Sequence, residues 1–147
     1  MIYHLIQTKR FIPTHTAQTV FDIDYETLYQ TKKAILMDLD NTLITYKEDV
    51  PTEKIKQLLQ RIKKIGFSII LVSNNHAKRL EEFTAELEVD FVAMALKPFA
   101  RGYKQALKKL GVATQDAIMV GDQMLTDILG ANFIGMDSIL VKTIAER

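Results

Sequence analysis

Two aspartates that stand two positions apart, at the end of an apolar run, are the residues of this sequence best suited to chemistry. The run 34–37 is followed at once by Asp38, Leu39 and Asp40. A continuous apolar run without polar alternation is typical of a parallel strand that is buried on both faces. In an open α/β sheet, the carboxyl ends of the strands face the crevice where ligands bind. Oxygen ligands at that position suit a hard cation such as Mg²⁺, which keeps waters that a phosphate can displace.

Three further apolar runs end in the same way, next to residues that can bind a phosphate or its metal. The runs and the residues that follow them are 67–72 with Ser73 and Asn74, 91–96 with Lys97, and 117–120 with Asp122 and Asp127. The carboxyl ends of parallel strands meet at one edge of a sheet, so we expect these side chains to form one site.

Each of these residues also has a purely structural interpretation. The segment 38–42 fits a polar turn, because Asp, Asn and Thr bond their own backbone in loops. Lys97, held extended by the proline that follows it, fits a solvated surface lysine. Ser73 fits the cap of a helix that begins near His76, which is compatible with anion binding. Asp127 fits a plain polar position in a helix over 124–131.

The order of the four motifs resembles that of the haloacid dehalogenase superfamily of phosphohydrolases. The segment DLDNTL at 38–43 resembles its first motif, Ser73 its second, Lys97 its third, and GDQMLTD at 121–127 its fourth. The resemblance covers residues 34–132. The preceding segment 13–31 resembles the lead-in of the YqeG-like branch, which is similar to the phosphatidylglycerophosphate phosphatases.

The resemblance implies a hydrolysis in two steps. Asp38 is expected to be the nucleophile that forms an aspartyl-phosphate, which divides one difficult displacement into two easier ones. Asp40 is expected to protonate the leaving alcohol and then to activate water. Lys97 is expected to hold Asp38 in place and to neutralise charge on the phosphoryl group.

The resemblance also implies the ligands of the metal and of the phosphate. Mg²⁺ is expected to be the cofactor, although an oxygen site of this kind accepts Mn²⁺ as well. The expected metal ligands are Asp38, the backbone carbonyl of Asp40, Asp122 and, as a ligand or close partner, Asp127. The phosphoryl oxygens are expected to be bound by Thr42, Ser73 and Asn74.

The elements that must position these residues alternate between strand and helix along the chain. This alternation predicts an α/β fold, with a three-layer Rossmann-like parallel sheet and helices on both faces. We expect one hydrolase domain over 1–147, with a lead-in over 1–32 and a catalytic core over 33–147. The predicted helices cover 52–65, 77–87, a segment that ends at Gly111, and 124–131, and the last predicted strand covers 138–142.

The spacing of the motifs leaves no room for a cap domain. Relatives of this superfamily often carry a cap after the first motif or between the second and third, but residues 43–72 and 74–96 suffice for a helix and a strand only. We therefore expect an open site. Capless relatives commonly act on bulky substrates, so the resemblance favours a membrane-borne ester such as phosphatidylglycerophosphate. A soluble small-molecule ester is the alternative.

The composition limits the binding partners and the cellular compartment that we expect for the protein. The formal net charge of +1 gives no argument for nucleic acid, and the absence of cysteine excludes disulfides and thiolate metal sites. No apolar run reaches the length of a membrane span and no signal peptide is evident. We expect an intracellular protein, either cytoplasmic or peripheral at the inner face of the membrane. Residues 1–12 fit a bilayer interface or packing on the sheet. His4, His15 and His76 receive no role.

Two other classes of protein use similar residues. A phosphoacceptor receiver domain also combines acids, a hydroxyl and a lysine on a parallel sheet, but its phosphoacceptor aspartate ends the third strand, whereas Asp38 ends the first strand predicted here. A binding module that has lost catalysis is the other alternative. The intact set Asp38, Asp40, Lys97 and Asp122 argues against it.

Overall fold

The computed structural model describes residues 12–144, and this part of the chain forms one parallel sheet of six strands. The strand order is β1-β6-β5-β2-β3-β4, and every pairing is parallel. The strands are β1 (His15–Ala17), β2 (Ala34–Met37), β3 (Ser68–Val72), β4 (Asp90–Val92), β5 (Ala117–Gly121) and β6 (Asp137–Val141). The predicted α/β fold class is confirmed.

Helices cover both faces of the sheet. They are α1 (Tyr25–Leu28), α2 (Glu53–Ile65), α3 (Ala77–Thr84), α4 (Ala100–Leu110) and α5 (Leu129–Phe133). Short 3₁₀ turns lie at Val20–Asp22 and Thr114–Asp116, and a π-helical turn lies at Met124–Ile128.

The central strand β2 is buried on both faces, which explains its unbroken apolar run. Ile35 and Met37 belong to the core that contains α2 and α3, whereas Ala34 and Leu36 belong to the core under α4. Because successive side chains of a strand point to opposite faces, a strand covered on both sides needs apolar residues at every position. The same strand therefore contributes to both cores, and Asp38 follows its last residue.

Helix α2 ends at Ile65, as the sequence predicts, and begins one residue later than predicted, at Glu53. The hydroxyl oxygen of Thr52 accepts a hydrogen bond of 3.2 Å from the backbone N–H of Ile55, which caps the first turn. Gly66 ends the helix at a φ of +130°, a conformation that favours glycine. The buried residues Leu58, Leu59 and Ile62 lie on the face that packs on the sheet.

Several predicted bounds are wrong by a few residues. The helix predicted over 77–87 ends at Thr84, and Leu87 packs half-buried just after it. The apolar run 91–96 is a strand only through Val92, and its remainder is a loop in which Leu96 is exposed. The last strand is shifted by one position, to Asp137–Val141.

The strand that precedes β2 is the largest difference from the predicted fold. β1 pairs with β6 at the edge of the sheet, in a register that places His15 opposite Ile139. Within residues 12–144, Asp38 therefore follows the second strand and not the first. β1 has three residues, two of them polar, so it offers neither the apolar run nor the alternation by which strands are recognised.

Helix α2, strand β3, helix α3 and strand β4 are the regular elements between Thr42 and Lys97, and none of them forms a cap. Among the helices of residues 12–144, none is both long and apolar enough to cross a membrane. The membrane contact predicted for residues 1–12 falls, except for Ile12, outside the described residues.

Candidate active site

The predicted site residues converge on one open pocket at the carboxyl ends of β2, β3 and β5. Its volume is about 300 Å³. Five of the predicted residues line it, namely Asp38, Asp40, Ser73, Asn74 and Lys97. The pocket is also lined by Asn41, Asn75, His76, Gln123 and Thr126, which the sequence did not single out. His76, to which no role was given, thus lies at the site.

Lys97 lies between two carboxylates in the floor of the pocket. Its Nζ donates hydrogen bonds to Asp38 Oδ1 at 2.8 Å and to Asp127 Oδ1 at 2.6 Å. Lys97 is 7% exposed and Asp127 is fully buried. Neither the solvated lysine nor the plain helical aspartate describes these residues, because both are parts of one buried ion network.

Burial and neighbouring charge shift the pKa values of this network. Burial opposes the charge of Lys97, but the carboxylates of Asp38 and Asp127 outweigh it and raise the lysine pKa. Burial, reinforced by the charge of Asp127, raises the pKa of Asp38 well above its usual value, and Lys97 opposes this rise. Burial likewise raises the pKa of Asp127. Lys97 therefore stays charged, whereas the carboxylates of Asp38 and Asp127 repel each other.

Three carboxylates are close enough to hold one metal ion. Asp38, Asp122 and Asp127 offer oxygen atoms that all lie within 4.8 Å of one another. Lys97 contacts two of them, so three carboxyl groups share one ammonium group. Oxygen ligands in this number fit a hard divalent cation. The carboxylate of Asp40 is not in this cluster.

Two threonines hold the carboxylate of Asp122. The Thr42 hydroxyl donates to Oδ1 at 3.1 Å, and the Thr143 hydroxyl donates to Oδ2 at 2.9 Å. Thr42 also lies 3.5 Å from Asp38 Oδ2. Thr42 is buried, and in this conformation its hydroxyl contacts the carboxylates of Asp38 and Asp122. Thr143 follows β6, and nothing in its surroundings in the sequence indicates this contact.

The loop after β3 is held by a hydrogen bond within itself, and two further hydrogen bonds join it to the backbone of Lys97. The Ser73 hydroxyl accepts from the backbone N–H of Asn75 at 3.0 Å and does not cap α3, whose first turn lacks a side-chain cap. Asn74 Oδ1 accepts from the Lys97 N–H at 2.7 Å, and its Nδ2 donates to the Lys97 carbonyl at 3.3 Å. The amide of Asn74 therefore aligns the backbone of the lysine.

Asp40 is held by two residues that the sequence analysis missed. Arg79 Nε donates to Asp40 Oδ1 at 2.8 Å, and Asn75 Nδ2 donates to Oδ2 at 3.2 Å. The neighbour of Asp40 in the chain, Asn41, has a φ of +62°, a left-handed conformation that asparagine tolerates. An isolated arginine on a helix has no spacing that marks it, but Asn75 stands beside two residues that were singled out.

A glycine allows Asp127 to reach the pocket. Gly121 ends β5, and a Cβ at this position would clash with the carboxylate of Asp127. The π-helical turn that contains Asp127 begins right after this point, where the Gln123 N–H donates to Asp127 Oδ2 at 3.2 Å. The wide turn directs the side chain inward, toward Lys97. A regular helix over 124–131, as predicted, is therefore wrong for its first part.

Family descriptions match most of the chain in two adjoining parts. Residues 35–97 match a family described as haloacid dehalogenase-like hydrolase, and residues 94–146 match one described as HAD-hydrolase-like. The two matches overlap over residues 94–97 and together include every predicted site residue.

Curated relatives of the chain are phosphatases. It is 33% identical over 138 residues to the probable phosphatase YqeG of Bacillus subtilis, which covers 93% of this chain and 80% of that one. It is 30% identical over 111 residues to the glyceraldehyde 3-phosphate phosphatase of Pyrococcus abyssi and 32% identical to that of Pyrococcus furiosus. The chain spans only 46% and 45% of these two enzymes, so the similarity concerns about half of each.

Solved structures share the fold. A protein of Listeria monocytogenes superposes with a TM-score of 0.62 at 21% identity, over 74% of this chain and 77% of that one. A haloacid dehalogenase-like hydrolase of Brucella suis superposes with a TM-score of 0.59 at 14% identity, over 82% and 92%.

Proposed function

The chain belongs to the haloacid dehalogenase-like hydrolases and is a phosphatase, and on this premise we propose that Asp38 is the nucleophile that removes the phosphoryl group of a phosphomonoester. The observation that supports this role is the contact of Asp38 with Lys97 in the floor of the pocket. A buried cation beside the attacking carboxylate reduces its repulsion from the phosphate and fixes its orientation.

In the first step, a carboxylate oxygen of Asp38 forms a bond to phosphorus while the ester P–O bond breaks. Asp40 gives its proton to the departing oxygen. In the second step, Asp40 takes a proton from water as the water oxygen bonds to phosphorus and the Asp38–phosphorus bond breaks. Lys97 contacts Asp38 throughout, and Ser73 and Asn74 line the side of the pocket where phosphoryl oxygens bind.

The residues that would hold Mg²⁺ are Asp38, Asp122 and Asp127 through their carboxylates and Asp40 through its carbonyl oxygen. When bound, the ion supplies positive charge to the phosphoryl oxygens. Thr42 and Thr143 orient Asp122 for this purpose, because each bonds a different oxygen of its carboxylate and leaves further lone pairs free.

We propose a bulky, lipid-borne ester as the substrate, with phosphatidylglycerophosphate as the leading candidate. Exposed apolar side chains on the segments that contain Lys97 and Asp127 support this proposal. We call these side chains the apolar rim: Met94, Leu96, Phe99, Met124 and Leu125. Leu96 is 59% exposed, Leu125 67% and Phe99 71%. Exposed apolar side chains next in sequence to residues of a polar pocket fit an amphiphilic substrate that offers a phosphate head and an apolar body.

The second candidate is a soluble three-carbon phosphate. The similarity to the two glyceraldehyde 3-phosphate phosphatases favours it, although this chain spans less than half of either enzyme. Experiment can distinguish the two candidates, because a soluble three-carbon ester has no apolar part for the apolar rim to contact.

Phosphate release tests both candidates. The panel contains phosphatidylglycerophosphate in micelles, glyceraldehyde 3-phosphate and other soluble esters, each with Mg²⁺ or EDTA, and Asp38→Asn is the blank. We expect release from the micelles that the double variant Leu96→Ser/Phe99→Ser lowers, with no change on any soluble ester that is turned over. Phe21→Ser is the matched control, because Phe21 is 45% exposed but lies beside α2, away from the pocket.

Three results would change the proposal. Release from glyceraldehyde 3-phosphate alone would establish the second candidate. An equal loss on micelles and soluble esters in the rim variant would remove the role of the apolar rim. Release that persists in Asp38→Asn would exclude Asp38 as the nucleophile.

A further inference from the structure

The carboxylate of Asp40 is held from two different sides. Asn75, which donates to Oδ2, lines the pocket, whereas Arg79, which contacts Oδ1 through Nε at 2.8 Å and through a terminal nitrogen at 2.6 Å, is not among the lining residues. The two oxygens of Asp40 are therefore not equivalent. Oδ1 accepts both contacts of Arg79, whereas Oδ2 accepts a single bond, from the pocket-lining Asn75.

Arg79 is itself fixed by a loop that follows the nucleophile. One terminal nitrogen donates to the carbonyl of Glu48 at 2.7 Å and the other to the carbonyl of Thr45 at 3.2 Å. The carboxylate of Glu48 accepts from both the N–H and the hydroxyl of Thr45 at 3.0 Å, which closes the loop. The side chain of Arg79 is only 13% exposed. Contacts on three sides leave the guanidinium little freedom.

We propose that Arg79 is a positioning residue for the acid and base of the reaction, and that it holds Oδ1 of Asp40 so that Oδ2 exchanges the proton. This inference rests on the proposed function of the site. The proton leaves Oδ2 for the departing oxygen as the ester P–O bond breaks, and it is replaced from water in the second step. The reacting oxygen replaces Asn75 as the hydrogen-bond partner of Oδ2, while Arg79 prevents rotation of the carboxylate.

A series of leaving groups separates this role from a general structural one. An ester with a good leaving group, such as 2,4-dinitrophenyl phosphate, needs little protonation, whereas an alkyl phosphate needs a proton from the acid. We compare kcat/KM, because it reports only the steps through the first phosphoryl transfer and so excludes the later role of Asp40 as a base.

We expect Arg79→Gln to lower kcat/KM for an alkyl phosphate by roughly tenfold or more and for the dinitrophenyl ester by much less, since a positioned acid contributes about 10²–10⁴-fold. Asp40→Asn should show the same pattern. The double variant should lose no more on the alkyl ester than Asp40→Asn alone, because the two residues act as one unit. Arg79→Lys, which keeps a charge but cannot make the fork of contacts, should lie between wild type and Arg79→Gln.

Arg61→Gln is the matched control, because Arg61 also pairs with a carboxylate, that of Glu26, but its side chain is 52% exposed. An equal loss on both esters in Arg79→Gln, or additive losses in the double variant, would overturn the positioning role. If Arg79→Gln does not fold, the same comparison with Arg79→Lys decides the question. Failure of the proposed function would look different, since wild type would then release no phosphate that depends on Asp38.

Discussion

At the scale of single residues, buried Lys97 is the group that stabilises the charge of the carboxylates in the site. Lys97 is the partner of two carboxylates from which water is largely excluded, and removal of one partner from a buried ion network leaves an uncompensated charge. Such a network is poor evidence of net stability, because desolvation opposes the attraction. Its value here is the fixed orientation of Asp38.

Lys97→Met should destabilise the metal-free protein by about 3–5 kcal/mol, the usual effect of breaking a buried pair. The variant leaves Asp38 and Asp127 facing each other. In an Asp127→Asn background the same change should have a smaller effect, since one of the two charges is gone. Urea unfolding in EDTA measures both differences, and equal losses in the two backgrounds would contradict the network.

The loss in Lys97→Met should also shrink as the pH falls from 7 to 5. Burial raises the pKa of Asp38 and of Asp127, so between the ordinary carboxyl pKa of about 3.9 and the raised values the folded state binds more protons than the unfolded state. A lower pH therefore stabilises the folded form, and this gain is greatest when Lys97 no longer opposes protonation.

Several of the residues that the sequence revealed directly follow strands. Asp38, Ser73 and Asp122 each follow an apolar run, so topology alone brings them together. Arg79 and Thr143 could not be found in this way. Each contacts the site through a side chain whose direction is set by tertiary packing, and neither has a spacing that distinguishes it from an ordinary surface residue.

At the scale of elements, the turn after β5 shows how a strand end can be shaped for a side chain. Gly121 leaves the space that the carboxylate of Asp127 occupies, and the π-helical turn after it turns Asp127 toward Lys97. π-helical turns are rare overall, but those that occur are often found at functional sites. The sequence pattern of such a turn is indistinguishable from that of an ordinary helix, which explains the wrong prediction over 124–131.

Gly121→Ala should lower kcat by roughly tenfold or more, because small displacements in a catalytic site can reduce rates by about 10²-fold. The new Cβ would push the Asp127 carboxylate out of the cluster. Gly111→Ala is the control, since Gly111 has a φ of +67° but no atom near its missing Cβ. It should reduce stability and leave kcat unchanged. Steady-state kinetics together with thermal unfolding distinguish the two effects.

Elements with strong local signals were predictable, whereas the existence of β1 and the bounds of β4 were not. Helix α2 has a cap residue, a periodic apolar face and a terminal glycine, so three independent signals agree. β1 and β4 have three residues each and take their conformation from the strands beside them. Pairing in a sheet can impose a conformation that the local sequence does not specify.

At the scale of the whole molecule, the site depends on segments that lie far apart in the chain. The acids of the metal cluster come from the ends of β2 and β5, which are adjacent in the sheet. The Thr143 hydroxyl and the Ile144 N–H, which donates to the Asn41 carbonyl at 3.0 Å, connect the segment after β6 to the same site. A ligand that binds these segments together should stabilise the entire fold.

Addition of Mg²⁺ should raise the thermal unfolding midpoint of the wild-type protein, since an ion that binds only the folded state stabilises it by about 2.7 kcal/mol at one hundred times its dissociation constant. Asp122→Asn should reduce or abolish this shift, because it removes one ligand. Ca²⁺ and Mn²⁺ in parallel scans compare the ions. A shift of equal size in Asp122→Asn would place the binding of Mg²⁺ elsewhere.

The pairing of β1 with β6 also determines when the protein can finish folding. His15 lies opposite Ile139, so one edge of the sheet joins residues that are made more than a hundred positions apart. Residue 141 must therefore leave the ribosome before that edge can form, and contacts of such long range slow folding. In a nascent chain β1 would stay unpaired, and exposed to chaperones and proteases, until β6 emerges.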